Sequence, residues 1–317
     1  MVKTFLQGVA VAGLLGGAFF MFNIPSRTVD VVVPLQETLA ARAEIIFGGD
    51  MMFDRSVRTA MEENGADFIF SCIDPVLQGA DLVVANLEGP ITATSSRSVG
   101  SALGTPDNFT FTFPTSIARL LLHHRIGVVN LGNNHIENFG FDGVRSTIAA
   151  LKNAGVAYFG DPLRHAVAER EVGGVKLTFV NYNEFTSTPL GASGAASTTL
   201  SQIASERAAG FIPVVYTHWG VEYATTSSAY SRELAHRFID AGAELVIGSH
   251  PHVVEEHELY TGKYIYYSLG NFIFDQYWDD DVRHGLLLDV VFGRAGVESV
   301  KEIPVELGRD RRTCPVE

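Results

Sequence analysis

The sequence predicts an α/β domain of layered sheets and helices. Apolar runs of strand length alternate with helical stretches along most of the chain, the pattern that stacks sheets against helices. Five of those runs end at once in small or polar residues carrying metal-binding or acid/base side chains. In α/β sheets the carboxyl ends of strands gather at one edge, and ligands bind there. At 317 residues the chain can bury one large core even after its amino-terminal segment is set aside.

Residues 5–22 carry no charge and are rich in Leu, Val, Ala, Gly and Phe, between Lys3 and Arg27. Their apolar core exceeds that of an ordinary signal peptide and sits at the short end for a bilayer span. Residues 1–26 are therefore expected to be a signal segment or, by preference, an uncleaved membrane anchor with the folded part outside the cytoplasm. Residues 27–43 contain Pro34 and no sustained helical period, which reads as a linker. The domain is expected over 44–295, leaving 296–317 as a C-terminal tail.

Within the domain, Ile45-Ile46-Phe47 runs into Gly48-Gly49-Asp50, and a helix is predicted over 55–64, ahead of Gly65. Leu82-Val83-Val84-Ala85 leads to Asn86-Leu87-Glu88. Residues 92–114 are full of Ser, Thr, Gly and Pro and read as a long loop, with one extended piece at the alternating Phe109-Thr110-Phe111-Thr112-Phe113. A helix over 116–124 precedes Val128-Val129, which leads to Asn133-Asn134-His135. Another helix over 143–154 stops at Gly155. A second Gly/Ser/Thr-rich loop is expected over 186–199, then a helix over 200–209. Val214-Val215-Tyr216 runs into His218-Trp219-Gly220, a helix follows over 231–241, and Leu245-Val246-Ile247 ends in Gly248-Ser249-His250-Pro251-His252. Residues 264–272 and 285–292 close the pattern as late strands.

A formal charge of -13 without long Lys/Arg clusters argues against a nucleic-acid partner, because backbone phosphates need a basic face. Cys72 and Cys314 form no short metal-binding pair, so two free thiols are the expectation, with a disulfide the lesser alternative if the domain is exported.

Asp50, Glu88, Asn134, His218, His250 and His252 make a mixed oxygen and nitrogen set of the kind that holds one or two divalent transition metals such as Zn, Mn or Fe. Paired ions of this kind activate water and clamp the oxygens of an in-line displacement. His135 then has a role as general acid. Singly, each residue has an ordinary reading: Asp50 and Glu88 as helix caps, Asn134 in a turn, His218 packed beside Trp219. Their shared position after strands argues for a common site. Glu222, four residues after His218, either orients a ligand or faces solvent.

Gly49-Asp50 with Arg55, Asn86-Leu87-Glu88, Asn133-Asn134-His135, His218-Trp219-Gly220-Val221-Glu222-Tyr223, Gly248-Ser249-His250-Pro251-His252 and Tyr267-Ser268-Leu269-Gly270-Asn271-Phe272 occur in that order. In this the chain resembles the CapA family of capsule and poly-γ-glutamate synthesis proteins, within the calcineurin-like metallophosphoesterase superfamily. The resemblance implies a four-layer α/β/β/α sandwich with a metal site at one sheet edge. It implies Asp50, Glu88 and His252 on one ion, and Glu88, Asn134, His218 and His250 on the other. It places His135 as the acid, with Arg55, Glu222 and Asn271 near substrate. Two positions depart from the pattern. Met52 stands where the superfamily has a first-ion His, and Asn138 where an Asp often supports the acid His; a neutral amide cannot raise the imidazole pKa by charge attraction. The implied function is capsule or poly-γ-glutamate synthesis or export, with an anionic polymer and other capsule-synthesis subunits as partners. The alternatives are an exported general metallophosphoesterase and a non-catalytic polymer-binding subunit.

Overall fold

Two sheets lie face to face with helices on both outer sides in the computed structural model, which describes residues 41–165, 167–185 and 191–316. The first sheet has eight strands. Its path runs β14 (Thr313–Pro315), β13 (Gly296–Leu307), β12 (His284–Gly293), β1 (Arg42–Met51), β2 (Leu82–Leu87), β3 (Ile126–Asn130) and β4 (Ala157–Phe159), with β11 (Asn271–Ile273) pairing β1 off that path. The second has six strands in the order β5 (Ala168–Val172), β6 (Val175–Asn183), β7 (Ile212–His218), β8 (Leu245–Ser249), β10 (Lys263–Tyr266) and β9 (His257–Tyr260). The helices are α1 (Arg55–Asn64), α2 (Asp74–Gly79), α3 (Ile117–His123), α4 (Gly140–Ala154), α5 (Gly191–Ala208) and α6 (Ala229–Asp240).

Side-chain alternation along the strands sorts the apolar residues into three cores, and so defines four layers. Ile45 and Phe47 of β1 meet Val214 and Tyr216 of β7 and Leu245 and Ile247 of β8 between the sheets. Ile46 and Val83 face the other way, into a core shared with Val57, Leu121, Val144 and Leu151 from the helices of the first outer layer. Val215 and Val246 pack with Ile203 of α5 and Leu234 and Phe238 of α6 on the far side. This is the expected α/β/β/α sandwich.

β1, β2 and β3 are mutually parallel, as are β7 and β8, so each set delivers its carboxyl ends to one edge. Residues 264–272, expected as one strand, split into β10 in the second sheet and β11 in the first, and the chain between them crosses from sheet to sheet. Glycine makes that crossing possible. A Cβ on Gly49 would lie 1.9 Å from the Gly270 carbonyl oxygen, and one on Gly248 would lie 1.7 Å from that of Tyr267.

Several expectations are corrected. Residues 296–317 are not a tail: β13 and β14 extend the first sheet. Cys72 and Cys314 are not free but joined in a disulfide. Residues 191–199, expected in a loop, belong to α5, and α2 was absent from the sequence reading. The 92–114 segment is irregular as expected, but its alternating Phe/Thr piece forms no strand, only a bridge between Ile91 and Phe113. β1 begins at Arg42, inside the expected linker. The expected anchor at 1–26 and most of the linker lie outside the described residues; among the described residues no helix is long and apolar enough to cross a membrane.

Candidate metal centre

Asp50 is the penultimate residue of β1, Glu88 directly follows β2, Asn134 and His135 lie beyond β3, His218 closes β7, and His250 and His252 follow β8. The carboxyl ends of both sheets thus converge on one site, and a hydrogen bond from the His250 backbone N–H to Asp50 Oδ2 (3.0 Å) ties the two sheets together there. Asp50, Glu88 and His218 are fully buried, and His250 and His252 nearly so.

Asp50, Glu88 and His252 bring their ligand atoms within 4.8 Å of one another. His252 Nδ1 is 3.3 Å from Asp50 Oδ2, and His252 Nε2 is 3.6 Å from Glu88 Oε1. Next to them, Asn86 Nδ2 reaches both Glu88 Oε2 (3.5 Å) and His218 Nδ1 (3.4 Å). His218 Nε2 is 3.0 Å from Asn134 Oδ1, and the His218 and His250 rings are 4.8 Å apart. The six ligand residues read from the sequence are therefore brought together. Met52 is not among them: it packs into the outer core, and its sulfur accepts the Asp54 N–H.

Burial without compensation decides the charge states. Glu88 is raised well above the usual carboxylate range by its burial and by the neighbouring Asp50 charge. Burial also works against ionisation of Asp50, but hydrogen bonding and charge from His252, with further help from His218 and Asn86, hold it below that range. Burial lowers His218 strongly and His250 to about 3, so both imidazoles are neutral and can offer a lone pair. Glu88 Oε1 and His250 Nδ1 are buried with no hydrogen-bond partner. Such atoms cost about 1–3 kcal/mol each unless something binds them. A carboxylate oxygen and an imidazole nitrogen left in this state, beside a low-pKa carboxylate, fit a divalent transition metal.

His135 packs its ring on Phe111 (centroids 4.4 Å apart). Asn138 Oδ1 accepts the Phe111 N–H at 2.8 Å and lies 3.2 Å from His135 Nδ1. The same oxygen must then accept from Nδ1–H, which leaves Nε2 as the lone-pair nitrogen, 3.8 Å from Glu88 Oε1. Burial lowers this imidazole to about 4, against the opposing hydrogen bond from Asn138. His135 is thus a neutral imidazole that turns its Nε2 lone pair toward Glu88 and whose burial opposes protonation.

The three residues expected near substrate separate. Arg55 forms a 2.5 Å ion pair with Asp275 and lies over the Phe111 and Phe274 rings. It lines a cleft of about 420 Å³ with Phe109, Tyr223, Gln276 and Trp278. Glu222 is exposed. Asn271 is fully buried: its Oδ1 is 2.9 Å from His252 Nδ1, and its amide nitrogen donates to the His252 and Val282 carbonyls and to Gln276 Oε1. Its contacts hold the His252 ring in place.

Sequence reasoning gave no role to the supporting polar network. Asn86 donates to Asp50 Oδ1 (2.7 Å) and accepts from Asn130 and Asn133 (3.0 and 3.1 Å), while Asn181 donates to Asn130 (2.9 Å). Ser249 Oγ donates to the Thr217 carbonyl and sits 2.9 Å from His218 Nδ1. Backbone strain marks the same place. Arg55, Tyr223, His250 and His252 all have positive φ (47°, 67°, 98° and 61°), a conformation that costs non-glycine residues energy and clusters at functional sites.

The profile of the family described as "Bacterial capsule synthesis protein PGA_cap" matches residues 44–276. The "PGA biosynthesis protein CapA" of Bacillus subtilis (strain 168) is 28% identical over 302 residues, covering 91% of this chain and 77% of that protein. The "Capsule biosynthesis protein CapA" of Bacillus anthracis is 28% identical over 265 residues, 78% of this chain and 64% of that protein. A crystallographically determined protein of Thermus thermophilus is 13% identical, with a TM-score of 0.46 over 82% of this chain and 97% of that one. The chain belongs to the family of bacterial capsule synthesis proteins that the profile defines.

Proposed function

We propose that the protein is a membrane-anchored component of capsule or poly-γ-glutamate synthesis or export, with a divalent-metal hydrolase site acting on an anionic polymer outside the cytoplasm. The observation that carries the hydrolase reading is the pair of buried, partnerless atoms Glu88 Oε1 and His250 Nδ1 at the meeting point of both sheets. Asp50, Glu88 and His252 would hold one cation, and Glu88, Asn134, His218 and His250 a second. When bound, such a cation polarises a carbonyl or phosphoryl oxygen and lowers the pKa of water. Among the chain's own groups, His135 Nε2 faces Glu88 at 3.8 Å, Phe185 covers His250 (rings 4.1 Å apart) and limits water access, and the cleft beside Arg55 receives substrate. The Cys72–Cys314 disulfide supports an oxidising, extracytoplasmic location, and the uncharged stretch 5–22 supports the anchor.

A second reading, a polymer-binding subunit without turnover, is favoured by Asn138 in place of an acidic partner and by the low pKa of His135. Elemental analysis of the purified chain, with assays on phosphomonoesters, phosphodiesters and poly-γ-glutamate with and without Mn²⁺, separates the readings. Metal lost in His250→Ala and His252→Ala, together with metal-dependent turnover of polymer, supports the hydrolase. Turnover of simple phosphoesters alone points to a general phosphoesterase, and bound metal without turnover to the binding subunit. A chain that retains no metal sinks the metal site altogether.

A further inference from the structure

Asp67, His123 and His124 form a second cluster at the opposite end of β3 from the metal centre. Asp67 lies in the 3-10 segment Ala66–Phe70, His123 ends α3, and His124 caps it just before β3 begins. Their ligand atoms also lie within 4.8 Å of one another. His124 is buried while Asp67 and His123 are exposed, so the cluster is anchored from inside and open to solvent on one side.

Its protonation pattern asks for a cation. His124 Nδ1 is 2.6 Å from Asp74 Oδ1, which also accepts Gln78 Nε2 at 3.0 Å. Asp74 Oδ1 acts as the acceptor in both contacts, so the hydrogen of the short bond sits on His124 Nδ1. The lone pair of His124 Nε2 then faces Asp67 Oδ1, itself an acceptor, at 3.1 Å. A proton or a metal must sit between two acceptors held so close. A proton needs no third group, yet His123 Nε2 approaches the same Oδ1 at 3.8 Å. Ligand atoms on a tetrahedral Zn²⁺ are separated by about 3.4 Å, given metal–ligand bonds of about 2.1 Å, and the two observed spacings bracket that value. The ring of His124 is held in place by stacking on Phe70 (centroids 4.2 Å apart). Its Nδ1–H to Asp74 completes the carboxylate–histidine arrangement that orients metal-bound imidazoles.

We propose that Asp67, His123 and His124 bind a Zn²⁺-like divalent transition metal, with Asp74 orienting His124 and a fourth position left to water. The ion joins the 66–70 turn to the end of α3, in the segment that Cys72 fastens to Cys314. Two imidazoles and one carboxylate select zinc over magnesium or calcium.

The test is calorimetric titration of the chelator-stripped full-length protein with Zn²⁺, beside Asp67→Asn and His123→Ala. Both substitutions are at exposed positions, and circular dichroism checks that each variant is folded. The expected result is that each variant binds one Zn²⁺ equivalent fewer than the wild type, whatever the first centre holds, and that His250→Ala leaves this equivalent in place. Equal stoichiometry in wild type and both variants overturns the proposal.

Discussion

Asn271 stands behind His252 with both ends of its amide engaged, so its removal should be felt twice. Asn271→Ala removes the amide donor to the His252 and Val282 carbonyls and leaves His252 Nδ1 with only its longer contact to Asp50. We expect a loss of about 2–3 kcal/mol in urea denaturation and metal affinity weakened by about 10- to 100-fold; unchanged metal content would show that His252 needs no such support. Glu255 gives the pH prediction. Burial, reinforced by Glu256, raises its carboxyl to about 7. Below about pH 4.5 the group is protonated whether folded or not and costs nothing. As pH rises through the interval up to about 7, the unfolded chain loses its proton first, and stability falls. Glu255→Gln should therefore match the wild type near pH 4 and exceed it by about 2 kcal/mol at pH 8, after allowance for solvent screening. The metal-ligand candidates were legible from sequence because each follows an apolar run. Asn86, Asn130, Asn181 and Ser249 were not, because an amide or hydroxyl acquires its role from partners brought close only by the fold.

The strands best read from sequence are those buried along their whole length, such as β2, β7 and β8: two covered faces leave a continuous apolar run. β13 escaped because much of it is half-exposed and carries Glu298, Lys301, Glu302 and Glu306, which reads as a polar tail. β14 is three residues long and too short for any period. Its attachment depends on Cys314, whose partner lies 242 residues away, a separation from which no pairing can be read. The disulfide fastens this strand to the 66–74 segment, and Thr313 adds a hydrogen bond to the Phe272 carbonyl in β11, beside the Asn271 that holds His252. Replacing both cysteines with alanine should lower stability by about 2–5 kcal/mol in urea denaturation, chiefly by freeing the unfolded chain. Metal content at the Asp50–Glu88–His252 site should not change, since the strand ends that bear those residues pair within their own sheets. Loss of metal alongside stability would show that the β14 attachment also shapes the site.

At the scale of the whole molecule, a formal charge of -13 sets a condition on any anionic polymer. Arg55 in the cleft and Arg97 next to its lining residue Ser98 are each paired with a carboxylate, Asp275 and Asp107 respectively. Both charges are thus already partly offset within the chain. The candidate metal centre adds the Asp50 carboxylate and no basic side chain of its own, so divalent cations bound there would supply its positive potential. Binding of poly-γ-glutamate should therefore be strong with Mn²⁺ present and fall at least tenfold in chelator. The salt response should differ between the two conditions. With metal bound, added salt screens attraction and weakens binding; in chelator, it screens repulsion between polymer and protein and partly restores binding. Titrating labelled polymer by fluorescence anisotropy at low and high salt measures both slopes. Binding that is equally tight in chelator, with the same salt dependence, would mean that a basic surface outside the described cleft captures the polymer and that the metal centre plays no part in holding it.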